Sequence, residues 1–268
     1  MIIKVENGKS LIQLKMNELG SYLKFIKPLA INWSDCQGSI AQFYAIFSYT
    51  KEHKEKIDVD LKEKLNSGKF KLKNNINHLN KLLSLFENAT YELSFEPEYD
   101  ISDFWDIAKN HHLYTSNQIM REKGKIEFCE DKENLDFLSE SYYDGFSEYF
   151  IYTQPTQSLN QERVKHYEEL LNTGIRPTAI VYSGQAKSKG SYKDGTSWQS
   201  NYNSGNFILD GHHKLAAYKN LSLPPSLLRI TKMYSSINEL NFNLKDFKKD
   251  IEPRLQKPQV THYLENIK

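Results

Sequence analysis

Five consecutive residues, Asp210-Gly211-His212-His213-Lys214, bring a carboxylate, a glycine, two imidazoles and an ammonium group together. They follow the apolar run 207–209 and precede 215–218, whose composition favours a helix, so the pattern predicts a strand, a turn and a helix. The first backbone N–H groups of a helix have no partner within it, and the positive end of the helix dipole attracts anions. The segment therefore predicts an anion site, and phosphate is an anion that such helix N-termini bind.

Each residue of the turn has an expected role. Gly211 is expected to let backbone and ligand approach each other without an intervening Cβ. His212, His213 and Lys214 add side-chain donors, but helical neighbours are about 100° apart, so one histidine should contact the ligand while the other packs or bonds to the scaffold. Asp210 has two interpretations that the sequence leaves open: it is the N-cap of the helix, or it holds a hydrated Mg²⁺ that bridges to phosphate oxygens.

The elements around this turn predict an α/β (α+β) fold for the C-terminal half of the chain. Asn160 is a good N-cap, Gly174 is a typical helix end, and Pro177 precedes an apolar, β-branched segment. Strand, helix, strand, turn, helix, strand is the order of an α/β unit. The predicted elements are the strand 149–152, the helix 161–171, the strands 178–182 and 207–209, the helix after Gly211 and the strand 227–231.

The stretch from 149 to 233 resembles the ParB/sulfiredoxin-like superfamily, through the helix 161–171, the segment Gly174-Ile175-Arg176-Pro177 and the segment 206–218. Its turn is similar to that of the ADP-dependent free-serine kinases. The resemblance covers about a third of the chain and implies a nucleotide ligand (ADP, ATP or CTP), whose phosphates Gly211, His212, His213 and Lys214 would hold. It also implies that Asp210 binds Mg²⁺ or activates the substrate, and that His213 and Asp210 are the candidate catalytic residues.

One departure from the serine kinases concerns the catalytic base. Those kinases carry a glutamate in a Pro-x-Glu-x-Leu segment, which here reads Pro155-Thr156-Gln157-Ser158-Leu159. Gln157 stands at the position of that glutamate, and we expect it among the residues that bind the nucleotide. An amide, however, cannot act as a base near neutral pH. Glu162 either substitutes for the missing glutamate or is a solvated residue at the helix N-terminus.

Two other branches of the superfamily fit less well. The turn lacks the cysteine of sulfiredoxin. The residues after Met233 are few and are interrupted by Pro253 and Pro258, so the helix-turn-helix of the partition proteins is not expected.

A polar stretch from Ser183 to Gly205 separates two predicted strands. Long connections in compact domains are often functional lids. We expect either a lid that folds over the nucleotide or a disordered or hairpin excursion. In the lid, a lysine lies near the phosphates and an aromatic residue stacks on the base. The candidates are Lys187, Lys189, Lys193, Tyr192, Trp198 and Tyr202.

Residues 1–130 are predicted to form a mainly helical region, and residues 131–268 the ParB/sulfiredoxin-like domain with its core at 149–233. Ile40, Phe43, Tyr44 and Phe47 recur at helical spacing. Similar patterns predict helices at 58–65 and 76–86 and from Ile101 to Ala108, with a strand at 91–95.

Composition excludes several classes of protein. The chain has 268 residues, 35 Lys plus Arg against 34 Asp plus Glu, a net charge of +1 and two cysteines. The balanced charge makes nucleic acid an unlikely partner, and two distant cysteines form neither a disulfide framework nor a cysteine zinc site. The sequence shows no secretory signal and no long apolar run, so we expect a cytoplasmic protein without a membrane span.

Three functions follow as expectations. The first is nucleotide binding, with Mg²⁺-dependent phosphotransfer to a small molecule or nucleotide hydrolysis. The second is a non-enzymatic scaffold or nucleotide sensor whose N-terminal region binds a protein partner. The third, a ParB-like nuclease, is opposed by the charge balance and the missing DNA-binding module.

Overall fold

The computed structural model describes residues 1–17, 20–35, 41–46, 51–99, 150–154, 159–191, 193 and 195–243. Within them the strands are β1 (Ile2–Val5), β2 (Ile12–Met16), β3 (Gly20–Phe25), β4 (Lys27–Asp35), β5 (Ala41–Ile46), β6 (Ala89–Glu96), β7 (Phe150–Ile151), β8 (Thr178–Ser191), β9 (Ser197–Asn203), β10 (Asn206–Asp210) and β11 (Ser226–Tyr234). The helices are α1 (Lys51–Lys56), α2 (Val59–Asn66), α3 (Ile76–Leu83), α4 (Gln161–Asn172) and α5 (His212–Asn220), with 3₁₀ turns at 72–75 and 237–239. Helices and a mixed sheet together make the chain an α+β protein.

A mixed sheet of seven strands carries the site. Its order is β1-β6-β11-β8-β10-β7, and β9 pairs with the distal half of β8. β8 and β11 run parallel, starting from Thr178 opposite Ser226, whereas β10 is antiparallel to β8. The central strands are buried and rich in β-branched and aromatic residues, as expected for strands covered on both faces.

A second sheet, β2-β3-β4-β5, is an antiparallel meander. In β2 the buried residues alternate with partly exposed ones, so one face of this strand joins the core. That core also takes in apolar residues of α2, α3, β6, β8, β10 and β11. Lys232 of β11 links the two sheets, because its Nζ donates to the carbonyl of Leu14 in β2 at 3.2 Å. The same Nζ forms a partly buried ion pair with Glu87, whose Oε1 lies 2.8 Å away.

Helices α4 and α5 pack against each other. Val164, Tyr167 and Leu171 of α4 meet Ala217 and Tyr218 of α5 in a separate apolar cluster. Gly174 ends α4 in the predicted left-handed conformation, with φ +85°. The predicted helix 161–171 and the predicted strands 178–182, 207–209 and 227–231 are confirmed. The strand predicted at 149–152 is β7, which is shorter than expected.

The prediction of a mainly helical N-terminal region is wrong for the described residues. Residues 41–46, assigned to a helix, form β5 and pair with β4, and β1 to β4 and β6 are further strands. A spacing of three and four over so few residues also arises in strands, and here aromatic and β-branched content together with partners across the sheet decides the conformation. The helix predicted at 58–65 and the strand at 91–95 are confirmed, and the helix predicted at 76–86 is confirmed over 76–83. The segment from Ile101 to Ala108 lies outside the described residues.

The proposed domain boundary between residues 130 and 131 also lies outside the described residues. Strands from both sides of it nevertheless belong to one sheet, because β6 pairs with β11 along seven residue pairs. The main core likewise contains side chains from both sides, such as Tyr91 and Tyr182.

The polar stretch 183–205 forms a hairpin, the alternative to a lid. β8 continues to Ser191 and returns as β9, with Gln185 opposite Asn203 and Ser191 opposite Ser197. At about 3.3 Å per strand residue, Lys187 lies about 30 Å along β8 from Thr178. Because Thr178 is the end of β8 nearest the turn, the hairpin extends away from that turn.

Candidate functional site

The predicted turn lies between β10 and α5. Gly211 is the N-cap of α5 with φ +105°, a left-handed conformation that strongly favours glycine. A Cβ at Gly211 would lie 2.7 Å from the Cβ of Ala179 in β8. The missing side chain therefore lets the turn pack against the sheet, which corrects the expectation that it makes room for a ligand.

Asp210 pairs with Lys214 rather than capping the helix. Lys214 is buried; its Nζ donates to the carbonyl of Thr178 at 2.7 Å and lies 3.4 Å from Asp210 Oδ2. Burial lowers the pKa of Lys214, and the charge of Asp210 opposes this shift. The N-cap of α5 is Gly211, without a side-chain capping bond, so the N-cap interpretation of Asp210 is wrong.

His212 is bound to the scaffold. Its Nε2 accepts a hydrogen bond from the backbone N–H of Thr153 at 3.1 Å, and the Thr153 hydroxyl donates to the carbonyl of Ile208 at 2.6 Å. Burial lowers the pKa of His212 to about 3. This imidazole is neutral near pH 7. Its hydrogen bond holds Thr153, which follows β7, beside β10.

His213 is also hydrogen-bonded to the main chain. Its Nε2 accepts from the N–H of Asn160 at 3.1 Å, and burial, together with the charges of Arg163 and Lys54, lowers its pKa to about 4. Asn160 is the N-cap of α4, because its Oδ1 accepts from the N–H of Arg163 at 2.9 Å. The first turn of α5 thus meets the first turn of α4 through one imidazole.

The charges of three cations that the sequence did not single out act on this junction: Lys54 of α1, Lys62 of α2 and Arg163 of α4. Lys62 is partly buried and donates to the carbonyl of Lys54. Burial lowers the pKa of Lys62; the charge of Asp210 opposes this shift, whereas Lys54 and Arg163 reinforce it. The site therefore combines these three cations and Lys214 with the carboxylate of Asp210.

The sequence offered little to reveal these cations. Lys54 and Lys62 belong to the region predicted as a separate helical unit, and only the fold brings them to the turn. Arg163 gave one signal: it lies in the first turn of a predicted helix, where the dipole disfavours positive charge. Glu162 is an exposed residue of that turn, and Gln157 lies outside the described residues.

Among the residues that the structure describes, no group of metal-ligand side chains includes Asp210. Among the described residues, the group of three ligand-type side chains that could surround a metal is Asp58, Asp60 and His78, and Asp210 is not part of it. Asp58 Oδ2 already bonds to His78 Nδ1 at 2.9 Å and lies 3.5 Å from Lys81 Nζ. The described residues around Asp210 therefore do not form a metal site by themselves.

Comparison of the chain with protein-family models, curated proteins and solved structures finds no match. The resemblance to the ParB/sulfiredoxin-like superfamily therefore stays a prediction from the residues of the turn and its flanking elements. No helix among the described residues is long and apolar enough to cross a membrane.

Proposed function

We propose that this protein binds the phosphate groups of a nucleotide or another phosphorylated small molecule at the junction of α4 and α5. We call this junction the anion site; it consists of the first turn of α5 with Lys54, Lys62 and Arg163. The observation that carries the proposal is the hydrogen-bonded contact of two helix N-termini, on which the charges of cations from three helices act.

The charges of this site favour a multiply charged anion. Lys54 and Arg163 both make protonation of Lys62 less favourable, and the one opposing charge that acts on it comes from Asp210. Arg163 also stands at the positive end of α4, where a cation is unfavourable. A phosphate at the junction relieves this repulsion and meets the positive ends of two helices. The similarity of the turn to phosphate-binding turns of the ParB/sulfiredoxin-like superfamily supports the same conclusion.

Binding is better supported than catalysis. His212 and Lys214 are held by the scaffold, and His213, with its Nε2 engaged and its pKa lowered to about 4, is a poor general base. These contacts favour the second candidate, a non-enzymatic nucleotide sensor. In the enzymatic form, phosphotransfer or hydrolysis, Asp210 is the residue that organises the acceptor or a Mg²⁺ carried by the phosphates.

Titration of the full chain with pyrophosphate, ADP, ATP and CTP, with and without Mg²⁺, tests the proposal. A ligand at 100 times its dissociation constant stabilises the folded state by about 2.7 kcal/mol, which raises the melting temperature by several degrees. Lys62→Met keeps the aliphatic stem but removes the charge, so we expect calorimetry to give an affinity lower by about tenfold.

Lys187→Met is the matched control, because Lys187 is an exposed lysine of the β8–β9 hairpin. It should bind like the wild type, and equal losses in the two variants would point to non-specific attraction. If none of the four compounds shifts the melting curve, phosphate binding at this site is refuted. Release of inorganic phosphate from a nucleotide that binds would establish the enzymatic form.

A further inference from the structure

The imidazole of His213 joins two helix N-termini. His213 belongs to the first turn of α5, and its Nε2 accepts the N–H of Asn160, the N-cap of α4, at 3.1 Å. Because Nε2 serves as the acceptor, the neutral ring carries its proton on Nδ1. His213 is 8% exposed, and its hydrogen bond to Asn160 is partly buried.

The bond continues into the anion site through Asn160. The Asn160 side chain accepts the N–H of Arg163, so the residue bound by His213 also orders the first turn of α4. Arg163 lies in that turn, and its charge lowers the pKa of Lys62, His213 and Lys214. A shift of the α4 N-terminus would therefore move one of the cations of the site.

We infer that His213 is a positioning residue, whose imidazole fixes the N-terminus of α4, and with it Arg163, against the N-terminus of α5. This role rests on the proposed phosphate binding and differs from the direct contact with phosphate that the sequence suggested. The function of the imidazole is to accept a hydrogen bond; its charge and its bulk are not needed.

Two substitutions separate these properties. His213→Gln places an amide oxygen near the position of Nε2 and keeps an acceptor, whereas His213→Leu keeps apolar bulk and removes it. Hydrogen exchange of the segment 159–164 reports on the hydrogen bond between Asn160 and His213 without any ligand. We expect exchange about three- to tenfold faster in His213→Leu, near-wild-type exchange in His213→Gln, and no change in His166→Leu, which alters an exposed histidine of α4.

Pyrophosphate binding, measured by calorimetry, tests the consequence for the site. His213→Leu should weaken binding about three- to tenfold, and His213→Gln should restore it. Since His213 acts through Arg163, adding His213→Leu to Arg163→Met should cause little further loss. Fully additive losses, or a glutamine variant as weak as the leucine variant, would overturn the inference.

The two proposals fail in different ways. If the wild type binds pyrophosphate and His213→Leu binds it equally well, the positioning role is refuted while phosphate binding stands. If the wild type binds neither pyrophosphate nor a nucleotide, the anion site itself is refuted, and the positioning role with it. Should His213→Leu fail to fold, the comparison of His213→Gln with wild type in exchange and in binding decides the question.

Discussion

Gly211 illustrates how one residue of the turn serves the fold before any ligand. Its left-handed backbone and its close approach to Ala179 both exclude a side chain. Gly174, at the end of α4, has a similar positive φ of +85°, but a Cβ there would meet nothing within 4 Å. The two positions share a left-handed backbone conformation and differ in packing.

This difference predicts unequal effects of the same substitution. Gly174→Ala introduces backbone strain alone and should lower the free energy of unfolding by about 1 to 2 kcal/mol. Gly211→Ala adds a steric clash with β8 and should cost at least about 1 kcal/mol more. Urea unfolding of both variants measures the difference. Equal losses would mean that the turn moves freely away from Ala179.

At the scale of elements, the first turn of α5 organises its neighbours through neutral histidines. His212 binds the chain after β7 and His213 binds the start of α4, so two segments depend on unprotonated imidazoles. Protonation of either ring at Nε2 removes the acceptor that holds its partner. These contacts should therefore fail in acid.

The lowered pKa values set the pH range of that failure. Burial lowers the pKa from 6.5 to about 3 for His212 and to about 4 for His213, so below about pH 6.5 the unfolded chain binds protons that the folded chain does not. The contribution of these histidines to stability is complete above about pH 7. It falls as the pH drops toward 4, by about 1.4 kcal/mol per pH unit for each histidine.

Urea unfolding of wild type and variants at about pH 7, 6 and 5 measures this slope. His213→Gln should remove about half of the histidine contribution, whereas His166→Gln, at an exposed position, should leave the slope unchanged. A pH slope identical in His213→Gln and wild type would show that His213 is accessible to protons in the folded state.

At the scale of the whole molecule, strands from both sides of the predicted domain boundary share a sheet and a core. β6 lies between β1 and β11, and the partly buried ion pair of Lys232 with Glu87 joins β11 to the segment before β6. The proposed anion site follows the same division, with Lys54 and Lys62 on one side of the boundary and the turn on the other. Neither half provides the core or the site alone.

We therefore expect residues 131–268, produced without the N-terminal region, not to fold. β11 would lose its partner β6, and a face of the main core would be exposed to water. Circular dichroism and urea titration of this fragment should give no cooperative transition, whereas the full chain should give one. A cooperative transition in the fragment would establish 131–268 as an independent domain.

The sequence by itself determined the local elements of the C-terminal half. Asn160, Gly174 and the Gly211 turn carry capping and turn signals that act within a few residues, and the structure has elements at these places. The same reasoning failed at residues 41–46, because apolar periodicity over a short segment does not separate a helix from a strand that is stabilised by its neighbour.

Only the tertiary structure decided what the residues of the turn do. Whether His213 faces a ligand or the N–H of Asn160 depends on a segment far away in sequence. Lys214, which pairs with Asp210 four residues before it, is likewise held by the distant carbonyl of Thr178. The convergence of Lys54, Lys62 and Arg163 on the turn likewise follows from how α1, α2 and α4 pack. Capping and turn preferences act between near neighbours along the chain, whereas burial, electrostatic fields and hydrogen-bond partners depend on distances in space.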